Sequence, residues 1–230
     1  MSQVPDVKEN FFRQWTKESA WVYGWLITDG YVRPGAVSLD LHKKDEDVLR
    51  KVATLLGYDG QIKERRGNIR YLAIYRNALV SDLIEKGFVI HDKSRNIRIP
   101  DIPDDLKPHL LRGIFEGDGS IRSNYNGSLE VNVTSCSPGL VEDLVELLNE
   151  NGIETSLLHD RRSGAVKVQS KNMASALKWA FFMYRDSEPY MRMDRKYNAY
   201  IDFLKSYFER PRRSKTNNLL VSEAMRYFAA

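Results

Sequence analysis

The sequence contains one cysteine, four histidines and no long hydrophobic run among its 230 residues. The single thiol, Cys136, excludes a disulfide framework and a cysteine-rich zinc site, and the histidines show no zinc-ligand spacing. No stretch approaches the roughly 18 consecutive apolar residues of a membrane-spanning helix. The first ten residues, MSQVPDVKEN, lack the apolar centre of a signal peptide. We therefore expect an intracellular protein without a membrane partner, in the cytoplasm (bacterial or phage) or in an organelle.

The chain also has no strong excess of one charge. Lysine and arginine number 35 against 31 aspartates and glutamates, which gives a net charge of +4 and a pI near 9.0. This balance alone does not indicate nucleic-acid binding. The basic residues nevertheless cluster in three segments, at residues 63–70, 160–167 and 210–215. With 42% hydrophobic and 29% charged residues, the composition is that of an ordinary globular protein, and intrinsic disorder is excluded.

Two stretches of the chain carry the same order of predicted elements: a helix, an alternating strand, a second helix, a hairpin and a third helix. The same sequence interval separates Gly24 from Gly113 and Asp29 from Asp118. This order predicts two similar α+β halves, joined where two prolines interrupt the chain at residues 98–104. The elements are predicted at residues 16–30, 37–42, 45–57, 61–76 and 77–87, and again at 104–119, 129–134, 139–152, 155–170 and 173–184.

The element shared most clearly by the two halves is an apolar helix that contains a glycine and ends in Asp-Gly. The two copies, called here the signature helices, are VYGWLITDG (22–30) and LRGIFEGDG (111–119). Glycine inside a helix costs about 1 kcal/mol relative to alanine, so a packing reason is expected. Gly24 and Gly113 hold the same position in each copy, and we expect the two helices to approach closely there.

Each signature helix places a carboxylate, Asp29 or Asp118, at its C-terminal end. The partial negative charge of a helix C-terminus disfavours such a carboxylate, and two carboxylates brought together repel each other. A hard divalent cation such as Mg²⁺ relieves both effects, and it also activates water and neutralises phosphodiester charge. Asp-Gly is a common turn dipeptide as well, but its recurrence at matching positions favours a metal site.

These two motifs resemble the signature helices of the LAGLIDADG homing endonucleases, in the single-chain form with two tandem pseudo-symmetric repeats. The resemblance extends roughly over residues 16–208. It implies an α+β fold of two αββαββα repeats whose antiparallel sheets form a DNA-binding saddle, with repeats at residues 1–100 and 101–208 and a basic tail at 209–230. It also implies a monomer of the intron-homing kind that cuts double-stranded DNA at long, nearly palindromic sites. The cofactor implied is Mg²⁺, with Mn²⁺ as a substitute.

The resemblance also assigns roles to individual residues. The acids Asp29 and Asp118 are implied metal ligands and catalytic residues, together with the backbone carbonyls of Thr28 and Gly117. The segments IHDKSRNIRIP and YMRMDRKYNAY resemble the basic, phosphate-facing segments of the family. They imply catalytic roles for Lys93 and Lys196, with Arg195 as a rival of Lys196. Tyr23 and Trp25 depart from the family pattern, in which smaller or aliphatic residues are common.

Strand alternation predicts which side chains would face DNA, because successive side chains of a strand point to opposite faces. If the apolar residues face the helices, polar residues of the central strands and hairpins face a DNA groove. Arg and Lys suit guanine, whereas Asn and Gln suit adenine; arginines at hairpin tips are expected to hold phosphates. The candidates on the strands are Ser38, Asp40, His42, Glu130, Asn132, Thr134, Lys167 and Gln169, and those at or near the tips are Lys63, Arg65, Arg66, Arg70, Arg161 and Arg162.

Three other functions remain open at the level of the sequence. An RNA splicing maturase and a DNA-binding protein without cleavage activity could both use the same scaffold, and a maturase can retain both acids. A purely structural α+β module would show no effect of Asp29→Asn and Asp118→Asn other than on stability. We predict a metal-dependent, site-specific endodeoxyribonuclease.

Overall fold

The computed structural model describes residues 5–124, 127–209 and 214–229, and within them the chain follows the predicted order twice. The first half contains α1 (Lys17–Thr28), β1 (Gly30–Arg33), β2 (Ala36–His42), α2 (Glu46–Leu56), β3 (Lys63–Arg65), β4 (Ile69–Ile74), α3 (Asn77–Glu85) and α4 (Lys93–Asn96). The second half contains α5 (Lys107–Asp118), β5 (Gly119–Ser123), β6 (Leu129–Ser135), α6 (Pro138–Glu150), β7 (Thr155–His159), β8 (Val166–Ser170), α7 (Met173–Tyr184), α8 (Asp194–Glu209) and α9 (Lys215–Ala229). The α+β fold class predicted from the sequence is confirmed.

Each half builds one antiparallel sheet of four strands from the described residues. The strand orders are β1-β2-β4-β3 and β5-β6-β8-β7, so the two halves share one topology. In the first sheet Asp40 of β2 lies opposite Tyr71 of β4, and Lys63 of β3 lies opposite the same tyrosine. In the second sheet Asn132 of β6 lies opposite Gln169 of β8. The register therefore decides which side chains share a face.

Local sequence signals explain where several elements begin and turn. Thr16 and Ser19 form a reciprocal capping box at the start of α1, which satisfies backbone donors that have no partner within the helix. Helix α2 ends at Gly57, whose φ of 61° is left-handed and costs glycine little. The hairpin of β3 and β4 turns through Gly67 and Asn68, both with positive φ, where glycine and asparagine are favoured.

The described residues divide into two compact units. The first comprises residues up to Lys93 together with Pro100–Gly117 and Glu188–Met193, and the second comprises Ser94–Ile99, Asp118–Ser187 and the residues from Asp194. Most of α5 therefore belongs with α1 rather than with the sheet that follows it in the chain. The cause is the packing of α1 on α5, described below.

The basic tail predicted at residues 209–230 contains helix α9. Residues 210–213, which hold most of the basic cluster at 210–215, lie outside the described residues. Phe228 of α9 makes edge-to-face ring contacts with Phe181, Tyr197 and Tyr200 of the second unit. Among the helices in the described parts of the chain, none is long and apolar enough to cross a lipid bilayer.

Candidate active site

The two signature helices pack against each other through glycine. A Cβ atom on Gly24 would overlap the carbonyl oxygen of Leu110 and lie 2.8 Å from the Cα of Gly113. A Cβ atom on Gly113 would overlap the carbonyl oxygen of Trp21 and lie 2.9 Å from the Cα of Gly24. The backbones of α1 and α5 therefore approach at the two positions that the sequence singles out, and no larger residue fits either position without moving a helix.

The close approach continues to the C-terminal end of α1. A Cβ atom on Gly117 would overlap the hydroxyl oxygen of Thr28 and lie 2.9 Å from Oδ2 of Asp29. The Thr28 hydroxyl contacts the same carboxylate oxygen at 3.3 Å. The first predicted acid thus lies beside the backbone of Gly117, and Asp118 is the next residue in the chain.

Lys93 lies at the same end of α1. Its ammonium donates to three backbone carbonyls, those of Leu26 at 3.0 Å, Thr28 at 2.8 Å and Gly30 at 2.6 Å. An ammonium has three N–H donors, and carbonyls at a helix C-terminus carry partial negative charge. Lys93 therefore neutralises the helix end that also bears Asp29, although no basic residue occurs in the last turn of α1 itself.

Lys196 occupies a related position in the second unit. It is 6% exposed, and its ammonium donates to the carbonyl oxygen of Gly119 at 2.6 Å. Gly119 follows Asp118 as Gly30 follows Asp29, so each lysine binds the glycine carbonyl of its own Asp-Gly motif. The rival Arg195 is exposed. Of the two residues, Lys196 is thus the one held at the end of a signature helix.

A buried polar cluster on α5 was not anticipated from the sequence. Glu116 is 1% exposed, and its carboxylate accepts from the Trp21 indole at 2.7 Å and from the backbone N–H of Met193 at 2.8 Å. Arg112, fully buried, donates to the carbonyl of Met191. The cluster fixes α1, α5 and residues 188–193 to one another. Only the unusual charged residues within an apolar helix could have signalled it.

One face of the first sheet carries most of its predicted DNA-facing residues. Ser38 and Asp40 are half-buried and alternate with buried Val37, Leu39 and Leu41, as predicted. Lys63 and Arg65 lie on β3, and Arg66 lies in the turn that follows. His42 is exposed at the end of β2, where its ring nitrogen accepts from the backbone N–H of Lys44 and caps a short 3₁₀ helix.

Arg70 is on the opposite face, and its prediction as a phosphate contact is wrong. It alternates with Ile69 and Tyr71 and lies opposite Leu41, which is buried. Its guanidinium pairs with Glu46 of α2 at 3.1 Å and with Glu64 at 2.8 Å. A hydrogen bond from Arg70 lowers the pKa of Glu64. Period-two alternation turns Arg70 towards the helices, which its nearness to a hairpin tip did not reveal.

The same open face carries aromatic and basic residues that were not singled out from the sequence. Tyr31 is 61% exposed and Tyr75 is 62% exposed. Together with Arg33 and Tyr71, they line a cleft that also contains Asp29, Asp40 and Arg65. The strand β1 that directly follows Asp-Gly could have signalled them, because Tyr31 and Arg33 alternate there with buried Val32.

The second sheet presents a more enclosed polar face. Thr134, Lys167 and Gln169 are half-buried. Asn132 lies on the same face but is only 4% exposed, and its amide donates to Glu130 at 3.2 Å. Arg161 and Arg162 are exposed in the turn between β7 and β8, where a hydrogen bond from Ser163 lowers the pKa of Asp160. Asn132 therefore reaches solvent less than strand alternation predicts.

Among the described residues, no group of three or more His, Cys, Asp or Glu side chains could hold a metal ion. Mg²⁺ does not require such a cage, since it is usually held by one or two carboxylates together with water and substrate phosphates. The predicted donors Asp29, Asp118 and the carbonyls of Thr28 and Gly117 are all oxygen ligands, which suit this ion. The Thr28 carbonyl already accepts from Lys93.

Comparisons with known proteins find the same fold and a family match over part of the chain. Residues 105–177 match the LAGLIDADG-like domain family. The fold is similar to that of the meganuclease I-SmaMI bound to uncleaveable DNA, with a TM-score of 0.61 and 16% identity, over 93% of this chain and 98% of that chain. It is also similar to variants of the homing endonuclease I-DmoI, with a TM-score of 0.53 and 13% identity, over 77% of this chain and 98% of that one. The predicted resemblance is confirmed by the domain match and by the shared fold.

One curated relative is much longer than this chain. A replication factor C small subunit of Methanocaldococcus jannaschii is 26% identical over 185 residues, which cover 70% of this chain but 10% of that protein. The chain therefore spans about a tenth of the length of that relative.

Proposed function

We propose that this chain, whose residues 105–177 match the LAGLIDADG-like domain family and whose fold is that of the homing endonucleases, is a site-specific double-strand DNA endonuclease. The observation that carries the proposal is the glycine packing of the two signature helices. It sets the backbone of Gly117 against Asp29, and Asp118 is the next residue. A module built only for stability gains nothing from a carboxylate at each of these helix ends.

The proposed cofactor is Mg²⁺, with Mn²⁺ able to replace it. Asp29 and Asp118 would hold it through their carboxylates, aided by the carbonyls of Thr28 and Gly117. When bound, such an ion lowers the pKa of a water molecule and neutralises charge on the phosphodiester. Complexes of two single-residue variants of I-DmoI with target DNA were determined, one in the presence of Mg and the other in the presence of Mn, which supports the same choice here.

The two lysines have different proposed roles. The Lys93 ammonium donates to three backbone carbonyls at the end of the first signature helix. We therefore assign Lys93 the role of positioning Asp29 and of supplying positive charge beside that carboxylate. Its direct contact with phosphate stays a prediction. Lys196 donates to the Gly119 carbonyl, and its proposed role is to stabilise negative charge that develops on the phosphate oxygens.

DNA is proposed to bind to the open faces of the sheets and to the hairpin turns. The strand residues would read base edges in the major groove, whereas the turn arginines would hold phosphates and fix the register. The proposed contact residues are, in the first unit, Ser38, Asp40, His42, Lys63, Arg65 and Arg66 and, in the second unit, Asn132, Thr134, Arg161, Arg162, Lys167 and Gln169. The protein is proposed to act as a monomer.

The test is cleavage of a randomised duplex library by the full chain, with sequencing of the cut ends. With Mg²⁺ we expect double-strand cuts with short 3′ overhangs at one long, nearly palindromic sequence, and with a chelator we expect none. Sequence-specific binding without cleavage in Mg²⁺ or Mn²⁺ would instead identify a non-cleaving DNA-binding protein on this scaffold. A protein that binds structured RNA, but that neither binds nor cleaves duplex DNA, would instead be identified as a maturase.

A further inference from the structure

Arg65 differs from the next residue in the hairpin, Arg66, in how its side chain is held. Its Nη1 donates to Oδ2 of Asp40 at 2.7 Å, and its guanidinium lies over the Tyr71 ring at 4.3 Å from the ring centroid. Asp40 and Tyr71 are opposite each other on β2 and β4. Arg66, the next residue, lies in the turn and is exposed. Three neighbouring strands thus fix the orientation of the Arg65 guanidinium.

Stability does not account for this arrangement. The side chain of Arg65 is 56% exposed and that of Asp40 is 28% exposed, and exposed ion pairs contribute little to stability. A carboxylate on a face that meets phosphates is also unfavourable for non-specific affinity. The pair does restrict the rotamers of a long side chain before binding, which removes an entropic cost that a mobile arginine would pay on binding.

The chemistry of the fixed group points to a base rather than a phosphate. Arginine carries five N–H donors in a planar fork, and its bidentate contact with guanine O6 and N7 is the commonest specific contact in the major groove. A phosphate contact fixes the position of a protein on the duplex but carries no sequence information, whereas a guanidinium held in one orientation on a sheet face can select a base edge. The cleft that contains Arg65, Asp40 and Tyr71 also contains Asp29, so this surface belongs to the proposed DNA-binding face.

We infer that Arg65 reads a guanine in the target site, with Asp40 and Tyr71 as positioning residues that hold its guanidinium towards the base edge. This inference rests on the proposed endonuclease function and revises the sequence-based expectation that hairpin arginines hold phosphates. Arg66 keeps the phosphate role. One base pair of the target is therefore specified by the row of residues formed by Asp40, Tyr71 and Arg65.

The experiment compares two charge-matched variants of the full chain, Arg65→Gln and Arg66→Gln, in sequencing of cleaved duplexes from the randomised library at one fixed salt concentration. For the wild-type protein we expect a strong preference for guanine at one position. Arg65→Gln should reduce discrimination at that position about 5- to 150-fold, as expected for loss of a bidentate contact. It should shift the preference towards adenine, which glutamine suits. Arg66→Gln should weaken binding to all sequences alike.

A third variant tests the positioning role. Asp40→Asn should reduce discrimination at the same base pair while raising affinity for unrelated DNA, because it removes a negative charge but leaves Arg65 in place. The inference is overturned if Arg65→Gln and Arg66→Gln both lower affinity uniformly and leave the selected sequence unchanged. If the wild-type protein still selects and cleaves one site, that result overturns only the inference about Arg65, and the proposed function stands. If the wild-type protein neither selects nor cleaves a site, both the proposed function and the inference are wrong.

Discussion

Replacing Gly24 by alanine should destabilise the protein, although alanine favours a helix. The helix propensity gained is about 1 kcal/mol. Against it, the new Cβ would overlap the Leu110 carbonyl and lie 2.8 Å from both the Gly113 Cα and the Ile114 nitrogen. All three are backbone atoms that cannot rotate away, so the helices must separate, and overpacking typically costs about 1–3 kcal/mol. At the upper end of that range, the net loss is about 2 kcal/mol.

The assay is denaturant and thermal unfolding alongside DNA cleavage. A loss of about 2 kcal/mol lowers the Tm of a chain of this size by about 4–8 °C, and cleavage should fall because Asp29 lies at the end of the displaced helix. Gly139→Ala in α6 is the matched control. The atoms nearest to its Cβ would be side-chain atoms of Arg98, at 2.9–3.1 Å, and a side chain can shift where the helix backbone cannot. Equal or greater stability of Gly24→Ala relative to Gly139→Ala would refute the reasoning.

Two further predictions concern single side chains. Lys93→Met should lower the free energy of unfolding by about 2 kcal/mol, since hydrogen bonds from a charged donor typically contribute about 1.5–3 kcal/mol, and should reduce cleavage; unchanged urea unfolding would contradict the capping role. The second prediction concerns Glu46, whose pKa is lowered mainly by a hydrogen bond from Arg50. The wild-type protein should therefore be more stable than Glu46→Gln at pH values above the ordinary glutamate pKa of 4.5. This difference in the free energy of unfolding should disappear as the pH falls through the lowered pKa. An advantage that stays constant from pH 7 to strongly acidic pH, followed by denaturant unfolding, would exclude that linkage.

The sequence predicted the elements that have strong local signals. Helices α1 and α2 and the first hairpin lie within the ranges predicted at residues 16–30, 45–57 and 61–76, and the capping box of α1, the glycine end of α2 and the Gly-Asn turn explain their bounds. The glycines of the signature helices also meet as expected, because a glycine in an apolar helix has few explanations other than close packing. Repetition of the motif made the α+β repeat recognisable without knowledge of any contact.

Features that depend on register or on long-range partners were not predictable in this way. Alternate residues of β4 point to opposite faces of the sheet, so a shift of one position changes the face on which a side chain lies. The position of Arg70 near a hairpin tip therefore gave no indication that its side chain points towards Glu46. The three carbonyl partners of Lys93 are distant in sequence, so only the fold brings them together. The burial of Glu116 by Trp21 and Met193 likewise depends on tertiary packing.

The most direct test of the central claim measures cleavage and binding by Asp29→Asn on the selected DNA site in Mg²⁺. If Asp29 serves the chemistry, cleavage should be abolished while DNA affinity stays within a few-fold of the wild-type value and the Tm is unchanged. Asp104→Asn, at a side chain that is 91% exposed, should cleave normally. Full cleavage by Asp29→Asn, or simultaneous loss of folding and binding, would contradict the claim and assign Asp29 to packing.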